Sequence, residues 1–275
     1  MAREIFRDNE LRVDCEKPRL VTDPAQIEEY LPLLTQEFSH NRPETFSNKL
    51  LAALKVGGAE VFSDPAANPR GADMFVLEEQ GHVDAISVAK YYSWDLLKGQ
   101  LCLQPLFDES GELTAFRVQS MEGLFAGAGL DASRSKVAVE LAYNYVDPNS
   151  RGKGYGKAMF ATRIQRGIEL KGTSDCILFT MSRGAHIDAG VGIKILERLM
   201  QKERKLQGAQ ENEKITPQGI SVGVPELIIS LEIPPETNLI EVNKSSRPIV
   251  TFAAANQMQF IGLFRDLSPI FAKII

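Results

Sequence analysis

The residues best suited to chemistry stand close together in Arg151-Gly152-Lys153-Gly154-Tyr155-Gly156-Lys157, with three glycines in five residues and three cations among them. Strand-like alternation runs up to Val146, Asp147 and Pro148 stop it, and a helical pattern begins near Gly156. The glycines therefore fall in a strand-to-helix loop. Without Cβ atoms the backbone can approach a ligand closely, so that successive N–H groups converge on phosphate oxygens. The helix N-terminus behind them adds partial positive charge. A plain turn needs one or two glycines, fewer than stand here. Two familiar phosphate loops do not match the spacing. A P-loop needs G-x-x-x-x-G-K-[ST], but Gly152 to Gly156 is one residue short and Ala158 replaces the magnesium-binding hydroxyl. A dinucleotide loop needs G-x-G-x-x-G; the glycines here read G-x-G-x-G, and no acidic residue ends a second strand near position 175 in the expected way.

The remaining pattern is R-x-x-G-x-G, Arg151 through Gly156, following a strand that ends Val146-Asp147-Pro148. It resembles the acyl-CoA-binding motif of the GNAT superfamily of N-acyltransferases. The resemblance implies that Arg151, Gly152, Lys153, Gly154, Tyr155, Gly156 and Lys157 hold the pyrophosphate of acetyl-CoA through main-chain amides and without a metal. Main chain near Tyr145 and Val146 would pair with the pantetheine arm. The implied activity is transfer of an acyl group, acetyl first, from coenzyme A to a primary amine on a small molecule or peptide. The other reading is a GNAT-like module that binds acyl-CoA without turning it over. The motif itself covers about 140–171; the rest of the likeness is one of element order.

Acyl transfer to an amine requires a base for the amine's extra proton, polarisation of the thioester carbonyl and a proton for the departing thiolate. Several GNAT enzymes place a glutamate on the fourth strand, eleven residues before the motif. Counting back from Arg151 reaches Glu140. Strand alternation puts Val139, Leu141, Tyr143 and Tyr145 on one face and Glu140, Ala142 and Asn144 on the other. The structural alternative for Glu140 is an edge residue facing water or one half of a salt bridge. Many GNAT enzymes protonate the thiolate with a tyrosine on the helix after the fifth strand. This chain departs from that pattern, because its last tyrosine is Tyr155. His186, in SRGAH directly after the expected fifth strand, is a substitute, since imidazole titrates near neutrality; Ser182 is another.

These residues need a scaffold. At 275 residues and 44% apolar content the chain can bury a sizeable core as one large domain or two small ones. A net charge of −5 argues against general nucleic-acid binding. The charged start, MAREIFRDNELRVDCEK, resembles neither a signal peptide nor a membrane anchor, and no run of eighteen apolar residues occurs. Cys15, Cys102 and Cys176 are far apart and form no metal-ligand spacing with the three histidines, which points to a reducing, cytoplasmic setting.

Residues 18–23 suggest a first strand, followed by a helix from Asp23-Pro24 to about Ser39 and a second over 44–56 that stops at Gly57-Gly58. A hairpin is expected over 74–78 and 83–92. The stretch of about 95–135 is an insertion relative to the GNAT order. It contains a second hairpin, 101–107 with 113–118, and is expected either to cover the acceptor side or to be a peripheral decoration. Trp94 is assigned to core packing. The fourth strand is 137–146. The helix 156–171 buries Phe160, Ala161, Ile164 and Ile168, with Arg163, Arg166 and Lys171 pointing elsewhere. The fifth strand is 175–181, a helix is expected over 190–207, and the last strands fall in 226–233 and 249–264. The expected fold is α/β: a GNAT-type mixed, mostly antiparallel sheet with helices on both faces over 18–265, with 1–17 and 266–275 as terminal extensions.

Overall fold

The structure is a computed structural model and describes residues 17–38, 43–107, 113–181, 227–230, 253, 255–264 and 268–275. In chain order the elements are β1 (Arg19–Val21), α1 (Pro24–Phe38), α2 (Pro43–Ser63), β2 (Arg70–Glu79), β3 (His82–Ser93), α3 (Trp94–Leu97), β4 (Leu101–Phe107) and β5 (Leu113–Ser120). They continue with α4 (Met121–Gly127), β6 (Val137–Val146), α5 (Tyr155–Lys171), β7 (Cys176–Met181), β8 (Leu227–Ser230), β9 (Gln259–Phe264) and β10 (Pro269–Ile274). The strands form one 10-stranded sheet in the order β1-β2-β3-β6-β7-β10-β9-β4-β5-β8. Among the described residues only β6 and β7 pair in parallel; the other pairs there are antiparallel. The expected mixed, mostly antiparallel sheet is the one found, and the expected fourth strand is β6.

Alternation along the strands divides the core between two faces. On one face Met159, Phe160 and Ile164 of α5 pack on Val137, Val139 and Leu141 of β6 and on Cys176 and Leu178 of β7. On the other, Leu31 and Leu34 of α1 and Leu50 and Leu54 of α2 cover Met74, Val76, Ile86 and Val88. Further along that second face, Trp94, Leu97, Leu124 and Phe125 cover Ala138, Ile177 and Phe179. Trp94 is a core residue as expected, edge-to-face with Phe125 at 5.3 Å.

Three expectations are corrected. The pair Gly57-Gly58 kinks α2 and does not end it. Gly57 leaves helical geometry at φ 76, ψ 167, and the chain resumes the helix to Ser63. The carboxylate of Asp73 accepts the Gly58 N–H at 2.9 Å, so the kink leaves that donor satisfied. A Cβ on Gly58 would stand 2.5 Å from the Tyr91 ring, so close approach explains the second glycine. The hairpin β4–β5 is no cover: it extends the sheet, β4 pairing with β9 and β5 with β8. The parts of the insertion that lie over a face are α3 and α4. Finally, within the expected extension 266–275, residues Pro269–Ile274 are part of the sheet, because β10 pairs with β7 on one side and β9 on the other. Ile270 and Ala272 are wholly buried there, so the strand is held by core packing as well as by its ladders. The expected helix over 190–207 lies outside the described residues.

Candidate active site

The site is built on β6. Residues 137–140 pair with β3 on one side and, in parallel, with 176–179 of β7 on the other. Beyond Glu140 the parallel ladder ends, while pairing to β3 continues to Val146. Two parallel strands that part toward their C-terminal ends leave a crevice, and this is where open α/β sheets receive ligands. Along 141–146 the β7-facing edge of β6 has no strand beside it among the described residues. The Thr180 hydroxyl donates to the Leu141 carbonyl at 3.1 Å, at the point of parting.

A bulge accompanies the opening. Ser87 is partnered with Asn144 and Ala89 with Leu141, so Val88 of β3 faces both Ala142 and Tyr143. The extra residue shifts the side-chain phase by one. Val139 and Leu141 face α5. Past the bulge Asn144 faces α5, its Nδ2 donating to the Gly156 carbonyl at 3.3 Å. Tyr143 and Tyr145 turn to the α1/α2 face and pack on its core. The expectation that both tyrosines share a face with Val139 and Leu141 is therefore corrected; they share a face with Glu140.

Arg163 holds the bulge from the α5 side. Its side chain is 1% exposed, and Nη1 donates to the carbonyls of Val88 at 3.4 Å and Tyr143 at 3.3 Å, while Nε donates to Met159 at 3.3 Å. These carbonyls belong to the misaligned residues of the two strands, and the fixed fork of donors lets one guanidinium serve both. Burial pushes its pKa down, opposed by the negative charge of Glu140 and by Tyr91. The sequence reading turned Arg163 away from the helix's buried stripe. That stripe is Tyr155, Met159, Phe160, Arg163, Ile164 and Gly167, whereas Ile168 is 41% exposed and Ala161 is exposed. Spacing of three and four from Tyr155 does reach Arg163; its polar type concealed it.

On the α1/α2 face, Glu140 is 3% exposed and its Oε2 accepts the Tyr92 hydroxyl at 2.9 Å. A buried carboxylate needs donors, and Tyr92 supplies one. Lys90 is the direct cross-strand partner of Glu140. Its ammonium is nevertheless turned to Tyr143, donating to the hydroxyl at 2.7 Å and lying 4.2 Å from the ring centroid. Phe38 and Phe46 each pack 5.1 Å from that ring. Neither Tyr92 nor Lys90 was singled out from sequence as a site residue. The signal available was their alternation with the buried positions of β3, which becomes informative only once β3 is known to lie beside β6.

The glycine loop follows the open end of the crevice. Asp147 caps a short turn over 148–150, its Oδ1 accepting the Asn149 N–H at 2.8 Å. The turn is tied to β3: the Asp147 N–H donates to the Asp84 carbonyl at 2.9 Å, and the Ser150 hydroxyl donates to the buried Asp84 carboxylate. Gly152 and Gly154 have φ of 84° and 86°, the left-handed region that glycine occupies without strain. Among the described residues, a Cβ added to Gly152 would meet nothing within 4 Å. Gly154 is the N-cap of α5 and brings no side chain to the first turn; its carbonyl accepts the Lys157 N–H at 3.0 Å and the Ala158 N–H at 3.1 Å. The loop's main-chain N–H groups, the helix dipole and the exposed side chains of Arg151, Lys153 and Lys157 give a positive helix start, which fits a pyrophosphate.

Tyr155 has a different place. It is 4% exposed and its hydroxyl donates to Glu79 at 3.1 Å, so its side chain anchors the helix start to β2. Tyr145 and Val146 are half-buried on the stretch of β6 that pairs with β3 but not with β7; burial, followed by the charge of Asp147, raises the pKa of the Tyr145 phenol. The structure thus gathers Glu140, Tyr145, Val146 and the 151–157 loop along one strand and its sequel. His186 and Ser182 lie outside the described residues. Among those described, no helix is long and apolar enough to cross a membrane.

No family model matches this chain, and no curated protein matches it. Solved structures do. Arginine/ornithine succinyltransferase subunit AI from Pseudomonas aeruginosa is similar at TM-score 0.50 and 10% identity, over 93% of this chain and 75% of that one. A polyamine N-acetyltransferase from Drosophila melanogaster, which forms N-acetylagmatine, gives TM-score 0.38 and 14% identity over 94% of this chain and 98% of the other. The first likeness, together with the strand order and the parallel pair that opens above the glycine loop, shows that this chain has the fold of the GNAT superfamily.

Proposed function

We propose that the chain is an acyl-CoA-dependent N-acyltransferase that moves an acyl group, acetyl in the first place, from coenzyme A to a primary amine. One observation carries the reading: the β6–β7 crevice has a buried carboxylate, Glu140, at its closed end and the glycine loop beyond its open end. In this reading the pyrophosphate rests on the amides of 152–156, with Arg151, Lys153 and Lys157 adding charge. The amides of the pantetheine arm pair with the free main-chain edge near Tyr145 and Val146, as an added strand would. This brings the thioester toward Glu140. The proposal calls for no metal, and the buried thiols Cys102 and Cys176 suit a reducing compartment such as the cytoplasm.

The chemistry then balances simply. Glu140, directly or through a water, takes one proton from the acceptor's ammonium. The freed nitrogen lone pair forms the bond to the carbonyl carbon, the C–S bond breaks, the thiolate leaves with the electron pair, and the nitrogen gives up its second proton to solvent to leave the neutral amide. The thiolate is protonated by solvent or by His186, the candidate from the sequence. Incubating the protein with acetyl-CoA and a panel of primary amines, following free thiol and acylated amine together, tests the reading; matched release of both is expected.

The rival is an acyl-CoA binder that does not turn over. The hydrogen bond from Tyr92 favours it, since Glu140 already has a structural partner. Tight coenzyme A binding with no thiol release across the panel would establish that rival.

A further inference from the structure

Lys90 is a half-buried ammonium on the Glu140 face, and among the described residues it forms no ion pair. Its contacts there are the hydroxyl and ring of Tyr143. An ammonium carries three donors and the phenol takes one. The plain alternative is that the stem covers apolar surface while the head is hydrated. Two features speak for more. Lys90 stands directly opposite Glu140, where the two side chains would pair if nothing intervened. Instead Tyr92 occupies the carboxylate and Tyr143 holds the ammonium aside. The Phe38 and Phe46 rings fix Tyr143 in turn.

A positive and a negative group kept apart on one floor are complementary to a molecule that carries both charges. We propose that Lys90 binds a carboxylate of the substrate, so that this site takes an amine bearing a carboxylate, or an acyl group bearing one, in preference to the uncharged counterpart. The inference rests on the acyl-transfer reading for its catalytic consequence, but the binding preference can be measured without turnover. A general electrostatic effect would work in the opposite direction for amines: at net charge −5 the protein attracts a diamine dication more strongly than an amino acid. A preference for the carboxylated amine therefore requires a specific cation.

Two matched pairs separate the sources of the carboxylate: lysine against cadaverine for the acceptor, and succinyl-CoA against acetyl-CoA for the donor. Calorimetric Kd values for each, on the full chain, and KM where thiol is released, give the readout. The expected result is a preference of roughly 10-fold for the carboxylated member of one pair, the scale of one charge-assisted hydrogen bond, and its loss in Lys90→Met. The lysine pair showing the preference assigns the carboxylate to the acceptor; the coenzyme A pair assigns it to the acyl group. Tyr143→Phe keeps the ring but frees the ammonium, and is expected to weaken the preference through Kd or KM with kcat unchanged; it serves also if Lys90→Met gives little soluble protein. No preference in the wild type within either pair, or a preference that survives Lys90→Met, overturns the proposal. Carboxylate-dependent binding with no thiol release would sink the acyl-transfer reading alone.

Discussion

The glycine loop and the floor around Glu140 are two ends of one strand, yet they are made in opposite ways. In the loop the backbone is the instrument: Gly152 and Gly154 adopt positive φ, the cations are exposed, and the N-cap offers no side chain. On the floor the side chains are the instrument: Glu140 is buried, Tyr92 donates to it, and Lys90 is held off by Tyr143. Substitutions in the loop should therefore act through backbone shape and coenzyme A affinity, and substitutions on the floor through side-chain chemistry, rate at Glu140 and carboxylate preference at Lys90.

The sharpest test of that contrast is Glu140→Gln, which keeps shape but cannot accept a proton. An acceptor amine with a lysine-like pKa, about 10.4, is almost wholly protonated at neutral pH, so kcat at pH 7 should fall on the order of 10²- to 10⁴-fold. The loss should shrink as pH rises and free amine accumulates, and calorimetric affinity for coenzyme A should hold. A lower Tm with unchanged kcat per folded molecule would instead make Glu140 a structural residue and erase the contrast.

Gly154→Val probes the other end. At φ 86° a β-branched residue is strained by about 1–3 kcal/mol, and its side chain would crowd the approach to the amides. Coenzyme A Kd should rise by roughly tenfold or more with little change in kcat at saturation. Unchanged affinity would remove the loop from the site. Magnesium-dependent ATP binding by the wild type would replace the assignment altogether.

Arg163→Met should blur the contrast, because Arg163 reaches the bulge carbonyls from the helix that follows the loop. Stripping donors from buried carbonyls costs about 1–3 kcal/mol, partly offset because a desolvated charge is removed as well. Urea unfolding should show a loss of about 1–2 kcal/mol on this scale, and both coenzyme A Kd and acceptor KM should worsen. A change in only one of the two would mean that the bulge does not couple them.

The smallest effect expected near neutrality concerns Cys176, where β7 begins. Burial pushes its thiol up to about 12. Below pH 9 the thiol is protonated in both folded and unfolded chains. Above it the unfolded thiol ionises while the folded one does not, so stability falls as pH rises from about 9 toward 12. The slope is about 1.4 kcal/mol per pH unit at most, and Cys176→Ala should flatten the alkaline limb of a urea-midpoint profile relative to wild type. Equal slopes would mean that the thiol reaches solvent and that the start of β7 opens.

Legibility in the sequence followed range. The bounds of β6 and the glycine loop were legible because alternation, Asp147-Pro148 and Gly152-x-Gly154 are local signals. The phase of Tyr143 and Tyr145 was not, since the bulge is set by pairing with Ser87 and Ala89 of a distant strand. Arg163 was hidden because a fully buried guanidinium contradicts the ordinary rule for charged residues, and the carbonyls of Val88, Tyr143 and Met159 that it serves explain it. The Gly57-Gly58 pair gave punctuation without saying whether it was a stop or a kink; the answer lay with Asp73. For the last strand, six residues of alternation gave no hint of partners in β7 and β9.

That last strand has a consequence for how the protein is made. The sheet is two pieces, β1-β2-β3-β6-β7 and β9-β4-β5-β8, and β10 is the seam between them. Ribosomes deliver chain from the N-terminus, so β7 emerges long before the strand that covers its outer edge. Until β10 arrives, the half that carries the crevice presents an apolar, unpaired edge of the kind that recruits other chains. A nascent chain stalled before residue 269 should be a client for chaperones and a seed for aggregation, even though every residue of the glycine loop and the Glu140 floor has already been synthesised.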